Sequence, residues 1–245
     1  MSRLLPLFLL LACDAAPPTE TDPAYSPVCT EPTEVSCDIG ADLPFHDAVS
    51  DGTVSTQVVE NDWVETIDAR AGGFIAAPDN PWLYLRFSEN GMEKVELTDF
   101  EANTSMDWDV AFHRYNIRLN SGSSGPSCVQ GGPAEGTYDA VDLATAEATA
   151  LETEAFYDAS CTYIDQEFEE PEAPQNIPVL ALQEWWTYPG CVATTATPLV
   201  VQLASGRLLK LEVLAYYGSN QQVCNDEGSI GTDSALLTLK WTYLQ

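Results

Sequence analysis

Two histidines, three methionines and seven cysteines are the soft or borderline donors that this 245-residue chain offers a transition metal. His113 stands inside the apolar run Trp108 to Leu119, and Met106 lies just ahead of it. Met92 falls beside the turn signal Glu89-Asn90-Gly91, and His46 closes a proline-rich stretch. No Cys-x-x-Cys pair occurs, so a zinc site is not expected. Asp107 and Asp109, two apart, would project to one side of a strand, either as oxygen ligands for calcium or as charge partners of Arg114 and Arg118. The Asp-x-Asp-x-Asp-Gly loop of a dedicated calcium site is missing. Ser121-Gly122-Ser123-Ser124-Gly125-Pro126 is loop-like, and lacks the Lys-Ser/Thr that would make it a phosphate cradle. Neither Gly-x-Ser-x-Gly nor His-Glu-x-x-His is present, and in so acidic a chain paired carboxylates carry no information about glycoside hydrolysis. The expectation is a protein that is not an enzyme.

The first residues set the compartment. One arginine, Arg3, precedes the apolar run Leu4 to Ala12, which is too short to span a bilayer, and Leu10-Leu11-Ala12-Cys13 fits a bacterial lipobox. Residues 1–12 are therefore expected to be a lipoprotein signal peptide, with Cys13 as the lipidated residue that anchors the chain to a membrane. Residues 13–45, rich in Pro, Thr, Asp and Glu, read as the anchor and tether. The expected place is the cell envelope, at the outer membrane or cell surface. Six further cysteines (Cys29, Cys37, Cys128, Cys161, Cys191 and Cys224) suit an oxidising compartment and leave 15 possible pairings; Cys29 and Cys37 are close enough to close a small loop. A net charge of −29, from 38 acidic and 9 basic residues, repels phosphate backbones and excludes nucleic acid as a partner.

The elements that must position these residues are strands. Val54 to Val59, Val64 to Ala69, Trp82 to Phe87, Lys94 to Leu97, Val179 to Tyr188, Pro198 to Ala204, Arg207 to Tyr217 and Ala235 to Gln245 are β-prone stretches. Trp108 to Leu119 reads as one long strand, with Trp108, Val110, Phe112, Arg114, Asn116 and Arg118 on one face and His113, Tyr115, Ile117 and Leu119 on the other. Residues 141 to 158 hold at most a short helix. The expectation is a single all-β domain over residues 46–245, an antiparallel β-sandwich or barrel-like sheet with little helix.

Three blocks resemble the HmuY family of haem-binding bacterial lipoproteins. They are Ile67-Asp68-Ala69 with Trp82 to Phe87; Met106 to Gly122, which follows the pattern Trp-Asp-(Ile/Leu/Val)-Ala-Phe-x-Arg-Tyr-x-(Ile/Val)-x-x-Asn; and Ala204 to Leu211 with Tyr216-Tyr217 and the closing Leu239 to Tyr243. Together they span about residues 65 to 245, with no counterpart for the cysteine-bearing stretch from 128 to 195. The resemblance implies an all-β, lipid-anchored protein that binds haem non-catalytically and passes it to an outer-membrane haem receptor. It implies two axial side chains on the iron, whose positions here the resemblance does not fix. By residue type the candidates are His113 and Met106, with Arg114 for a propionate. From residue type alone, His113 reads first as a core or half-buried strand residue, hydrogen-bonded inside the sheet. Trp185-Trp186, Tyr216 and Tyr217 can be the wall of a flat-ligand site or ordinary sheet core. The alternative function is a lipid-anchored surface module of the same fold that has lost haem binding and takes a protein, a glycan or calcium.

Overall fold

Residues that alternate apolar and polar bury one face when strands pair, and here that face is shared between two sheets. A computed structural model describes residues 25–70, 79–165 and 178–245. Residues 1–12, Cys13 and the acidic run Glu167 to Glu172 lie outside the described residues. The larger sheet has six strands in the order β1 (Val54–Val59), β2 (Asp62–Asp68), β12 (Thr232–Tyr243), β11 (Leu208–Ser219), β10 (Leu199–Gln202) and β7 (Gln130–Pro133). The smaller has four, in the order β4 (Gly91–Lys94), β3 (Leu83–Ser88), β5 (Val110–His113) and β6 (Asn116–Leu119). Every named pairing is antiparallel, including that of the short β8 (Trp186–Thr187) and β9 (Ala193–Thr194). The fold is all-β, and the described helices are short: α1 (Asp99–Ala102), α2 (Leu143–Ala148) and α3 (Gln221–Glu227). No helix among the described residues is long and apolar enough to cross a membrane.

The register shows how the core is built. Ile67, Leu237, Leu239, Val213, Leu211, Leu199 and Val201 line the inner face of the large sheet. Leu83, Leu85, Val110, Phe112, Ile117 and Leu119 line that of the small one. The sheets meet where the Phe87 and Trp241 rings lie 4.8 Å apart, edge to face. Buried Glu65 ties them together, accepting from the Met92 amide of β4 at 2.8 Å and from Trp241 Nε1 at 3.0 Å.

Three expectations need correction. Trp108 to Leu119 is a hairpin rather than one strand: Phe112 pairs with Ile117 and His113 with Asn116, so Arg114-Tyr115 is a two-residue turn. The reversal places Ile117 and Leu119 on the face of Val110 and Phe112, and Arg118 on the opposite face. The stretch Val179 to Tyr188 is largely irregular, with a short 3-10 turn, Gln183–Trp185, and only Trp186–Thr187 in a strand. Cys29 and Cys37 do not join each other. The disulfides are Cys29–Cys128, Cys37–Cys161 and Cys191–Cys224.

The first two disulfides hold the N-terminal segment against the domain. From Tyr25 on, the residues expected as tether make contacts: Tyr25 Oη donates to the Leu244 carbonyl at 3.0 Å and the Val28 amide to Ala204 at 2.8 Å. Cys37, Ile39 and Leu43 join the core. This segment covers the outer face of the small sheet, where Tyr84, Ala111 and Arg118 stand in register.

Candidate functional site

The β5–β6 hairpin places its residues in two different settings. Arg114 occupies the first turn position with φ of 55°, a conformation that costs a non-glycine residue roughly 1 kcal/mol. Its amide donates to the Ala69 carbonyl at 3.0 Å, which holds the turn in place. Beside it, Tyr115 reaches away from the sheet toward Trp186, 5.2 Å between ring centroids, and toward Tyr216 at 6.3 Å.

Tyr216 and Tyr217 are consecutive yet both buried. The β11–β12 register shifts twice, between Val213 and Ala215 and between Ala215 and Tyr217, and such bulges re-aim side chains. Gln221 Oε1 accepts both tyrosine amides, at 2.7 and 3.2 Å, while Tyr217 Oη accepts the Val192 amide at 3.2 Å. The Cys191–Cys224 disulfide ties the segment carrying Val192 to α3. The result is a cleft of 270 Å³ lined by Arg114, Tyr115, Tyr188, Val192, Tyr216, Tyr217, Ile230 and Ser234.

Its electrostatics are unusual for this chain. The described residues include eight of the nine basic side chains. Arg70, Arg86, Lys94, Arg207 and Lys240 have carboxylate partners, Arg118 binds Ser124, and Lys210 binds two carbonyls. The Arg114 guanidinium lies 5.7 Å from the Tyr115 ring, its Nε is buried without a hydrogen bond, and no carboxylate lines its cleft. Burial pushes the Tyr115 and Tyr217 phenols up from their ordinary value and that of Tyr216 to about 12, while the Arg114 charge pulls all three back. They stay protonated near neutral pH. The cleft therefore offers one cation and neutral hydroxyl donors, which suits an anionic group.

His113, one residue away, is not among the cleft-lining residues; its ring tilts against Trp82 at 5.2 Å. Trp82 in turn donates its amide to Asp99 Oδ1 at 3.0 Å, and the His46 amide donates to Asp99 Oδ2 at 2.9 Å. Both histidines thus belong to the layer over the small sheet. Half-buried Met106 is at the other end of β5, next to Ser105, whose carbonyl accepts Asn120 Nδ2 at 3.0 Å beyond the far end of β6. His113 and Arg114 adjoin in sequence but lie in different settings, and Met106 is apart from both.

Asp107 and Asp109 are not a cation pair: Asp107 is exposed, whereas Asp109 Oδ2 accepts the Phe87 amide at 2.9 Å. Burial pushes Asp109 up to about 6. Neither acid pairs with Arg114 or Arg118. Among the described residues no group of three or more His, Cys, Asp or Glu side chains could hold a metal ion. Tyr115 and Tyr188 escaped the sequence reading as cleft residues, because their only signal was residue type. Trp185, Trp186, Tyr216 and Tyr217 are core, and the two tyrosines also wall the cleft.

Residues 79–227, most of the chain and all of this hairpin, match the family model described as HmuY protein. The chain belongs to the HmuY family. A search of curated proteins finds no match to this HmuY-family chain. Among solved structures it is similar to a Bacteroides fragilis protein described as a candidate lipoprotein, with 12% identity, a TM-score of 0.46, and coverage of 78% of this chain and 95% of that one. It is similar to a Bacteroides vulgatus protein described as a candidate HmuY-like haem-binding protein, with 14% identity, a TM-score of 0.43, and coverage of 76% and 93%. The apo HmuY analogue of Tannerella forsythia gives 11%, 0.36, 81% and 100% for the same quantities. At such scores none of the three fixes a site on this chain.

Proposed function

We propose that this HmuY-family chain is an exported lipoprotein, anchored in the cell envelope through Cys13, that binds haem without catalysis at the Arg114 hairpin. Any spacer then lies ahead of Tyr25, since the chain is held to the domain from there on. The observation that carries the reading is Arg114, a guanidinium with no carboxylate partner among the described residues of a chain with net charge −29, set among four tyrosines.

Haem asks for a donor to its iron and for cations or hydroxyls at its propionates. The hairpin carries both residue types: Arg114, with the neighbouring phenols, suits a propionate in the cleft, and His113, which packs against Trp82 outside it, is the iron donor that this reading requires. Bound haem contributes the iron chemistry, and the protein's part is to hold and release it. An outer-membrane haem receptor is the partner this reading supplies.

Haemin titrated into the purified protein should give a saturable, shifted Soret band. Affinity should fall by about tenfold or more in Arg114→Gln and in His113→Ala, and stay unchanged in Met106→Ala. A free-haemin spectrum at all ratios would retire haem.

One observation favours a second reading: 270 Å³ is below the roughly 300–1,000 Å³ of pockets that enclose most of a drug-sized ligand. On that reading the family fold is kept and the cleft takes a smaller anionic group of a protein or glycan partner. Small carboxylates competing with no Soret change would select it.

A further inference from the structure

A second cavity, of 390 Å³, opens beside β7, between the segments around residues 150–152 and 179–184. Gly131 exchanges backbone hydrogen bonds with Glu152, at 3.0 and 2.9 Å, which extends the sheet by one bridge. A side chain on Gly131 would collide with Leu119 and Leu182, and one on Gly132 with the Ala150 carbonyl, so the floor is bare backbone. Pro133, Ala150 and Leu180 give apolar walls.

Two polar features border this space. Gln183 lines it, and both its Oε1 and its Nε2 are buried with no hydrogen-bond partner. Leaving a buried donor and acceptor unpaired incurs their desolvation cost with no return. Glu152 and Glu184, both exposed, line the same cavity, and no basic residue does. An unsatisfied carboxamide calls for a group that both donates and accepts, and the two carboxylates call for a cation next to it.

We propose that this cavity is a separate binding site for a peptide group bearing a basic side chain: its amide pairs with Gln183, and its cation with Glu152 and Glu184. The partner is then a protein segment containing Arg or Lys. This site shares no lining residue with the Arg114 cleft and stands or falls independently of haem.

The test is an NMR titration of the full chain with N-acetyl-arginine amide, following the Gln183 side-chain amide and the Gly131 and Gly132 amides. A saturable shift at all three is expected, weakened about tenfold by Gln183→Leu and again by Glu152→Gln, with N-acetyl-glutamate amide giving none. Gln183→Leu removes no charge, so it separates the cavity from general attraction of a cation to an acidic chain. It also removes two unpaired buried atoms and should fold at least as well as the parent. No saturable shift, equal shifts from both probes, or indifference to Gln183→Leu would overturn the proposal.

Discussion

Arg114 and Arg118 are four residues apart on one hairpin, and the fold treats them in opposite ways. Arg118 is fully buried on the outer face of the small sheet. Its guanidinium carbon lies 5.0 to 5.7 Å from the rings of Trp108, Trp82, Phe45 and Tyr84. Its Nε and Nη2 donate to Ser124 Oγ and O, both at 2.7 Å, and its charge steadies buried Asp99 and Glu154. Arg114 has no such enclosure and, among the described residues, no acid partner. A cation sealed among aromatics, with two of its nitrogens bound to Ser124, organises the protein around itself, whereas one left among neutral hydroxyls is available to something else.

The largest expected effect comes from breaking the enclosed member. Arg118→Met leaves Asp99 and Glu154 buried without their cation, and should lower unfolding free energy by about 3–5 kcal/mol in urea denaturation. A loss below about 1 kcal/mol would mean that the aromatic packing, and not the charge, holds this face.

Next comes the acid side of the same centre. Burial pushes the Glu154 carboxyl up to about 8, although the Leu119 and Ala181 amides donate to it at 2.9 and 3.1 Å and Arg118 pulls the other way. A carboxyl whose folded pKa exceeds its unfolded one binds its proton more tightly when folded. Its stabilisation is complete at acid pH and lost as pH rises from the ordinary glutamate value toward 8. Stability should therefore fall by up to about 1.4 kcal/mol per pH unit across that window. Denaturation midpoints at mildly acid and mildly alkaline pH measure the slope. Glu154→Gln should flatten it above the range of Asp109, which is raised to about 6 and contributes with the same sign.

The smallest effect on stability belongs to Arg114. Arg114→Gly relieves the positive φ and should change thermal stability by less than about 1 kcal/mol, in the stabilising direction, while haemin affinity drops. A large destabilisation would erase the contrast and make Arg114 a structural residue like Arg118.

How much of this was written locally in the chain follows from where each partner lies. Alternation around Leu209, Leu211 and Val213, and around Leu237, Leu239 and Trp241, marks strands that pair in register. The Glu89-Asn90-Gly91 signal marks the β3–β4 turn. The Arg114-Tyr115 turn carries no Asn-Gly or Asp-Gly; its conformation is held by Ala69, more than forty residues earlier, and so period-two counting ran straight through it. Arg118 is equally opaque, because Phe45, Trp82 and Ser124 must be brought to it from separate segments. Composition misled over residues 25–45, where proline and acid suggest solvent, yet Ile39 and Leu43 supply core and two cysteines supply fastening. At the cleft, Arg114, Tyr216 and Tyr217 were visible as residue types; that Arg114 has no acid partner among the described residues was not.

The two N-terminal disulfides also have a mechanical meaning. A pull on the chain ahead of Tyr25 reaches covalent crosslinks first, passing through Cys29 to Cys128 and through Cys37 to Cys161 before it arrives at β1. Tension is shunted into loops beyond β6, and the ladders between strands bear it last. A domain hung by this end can be dragged through flow, or tugged by a partner, without its sheets being unzipped from the edge.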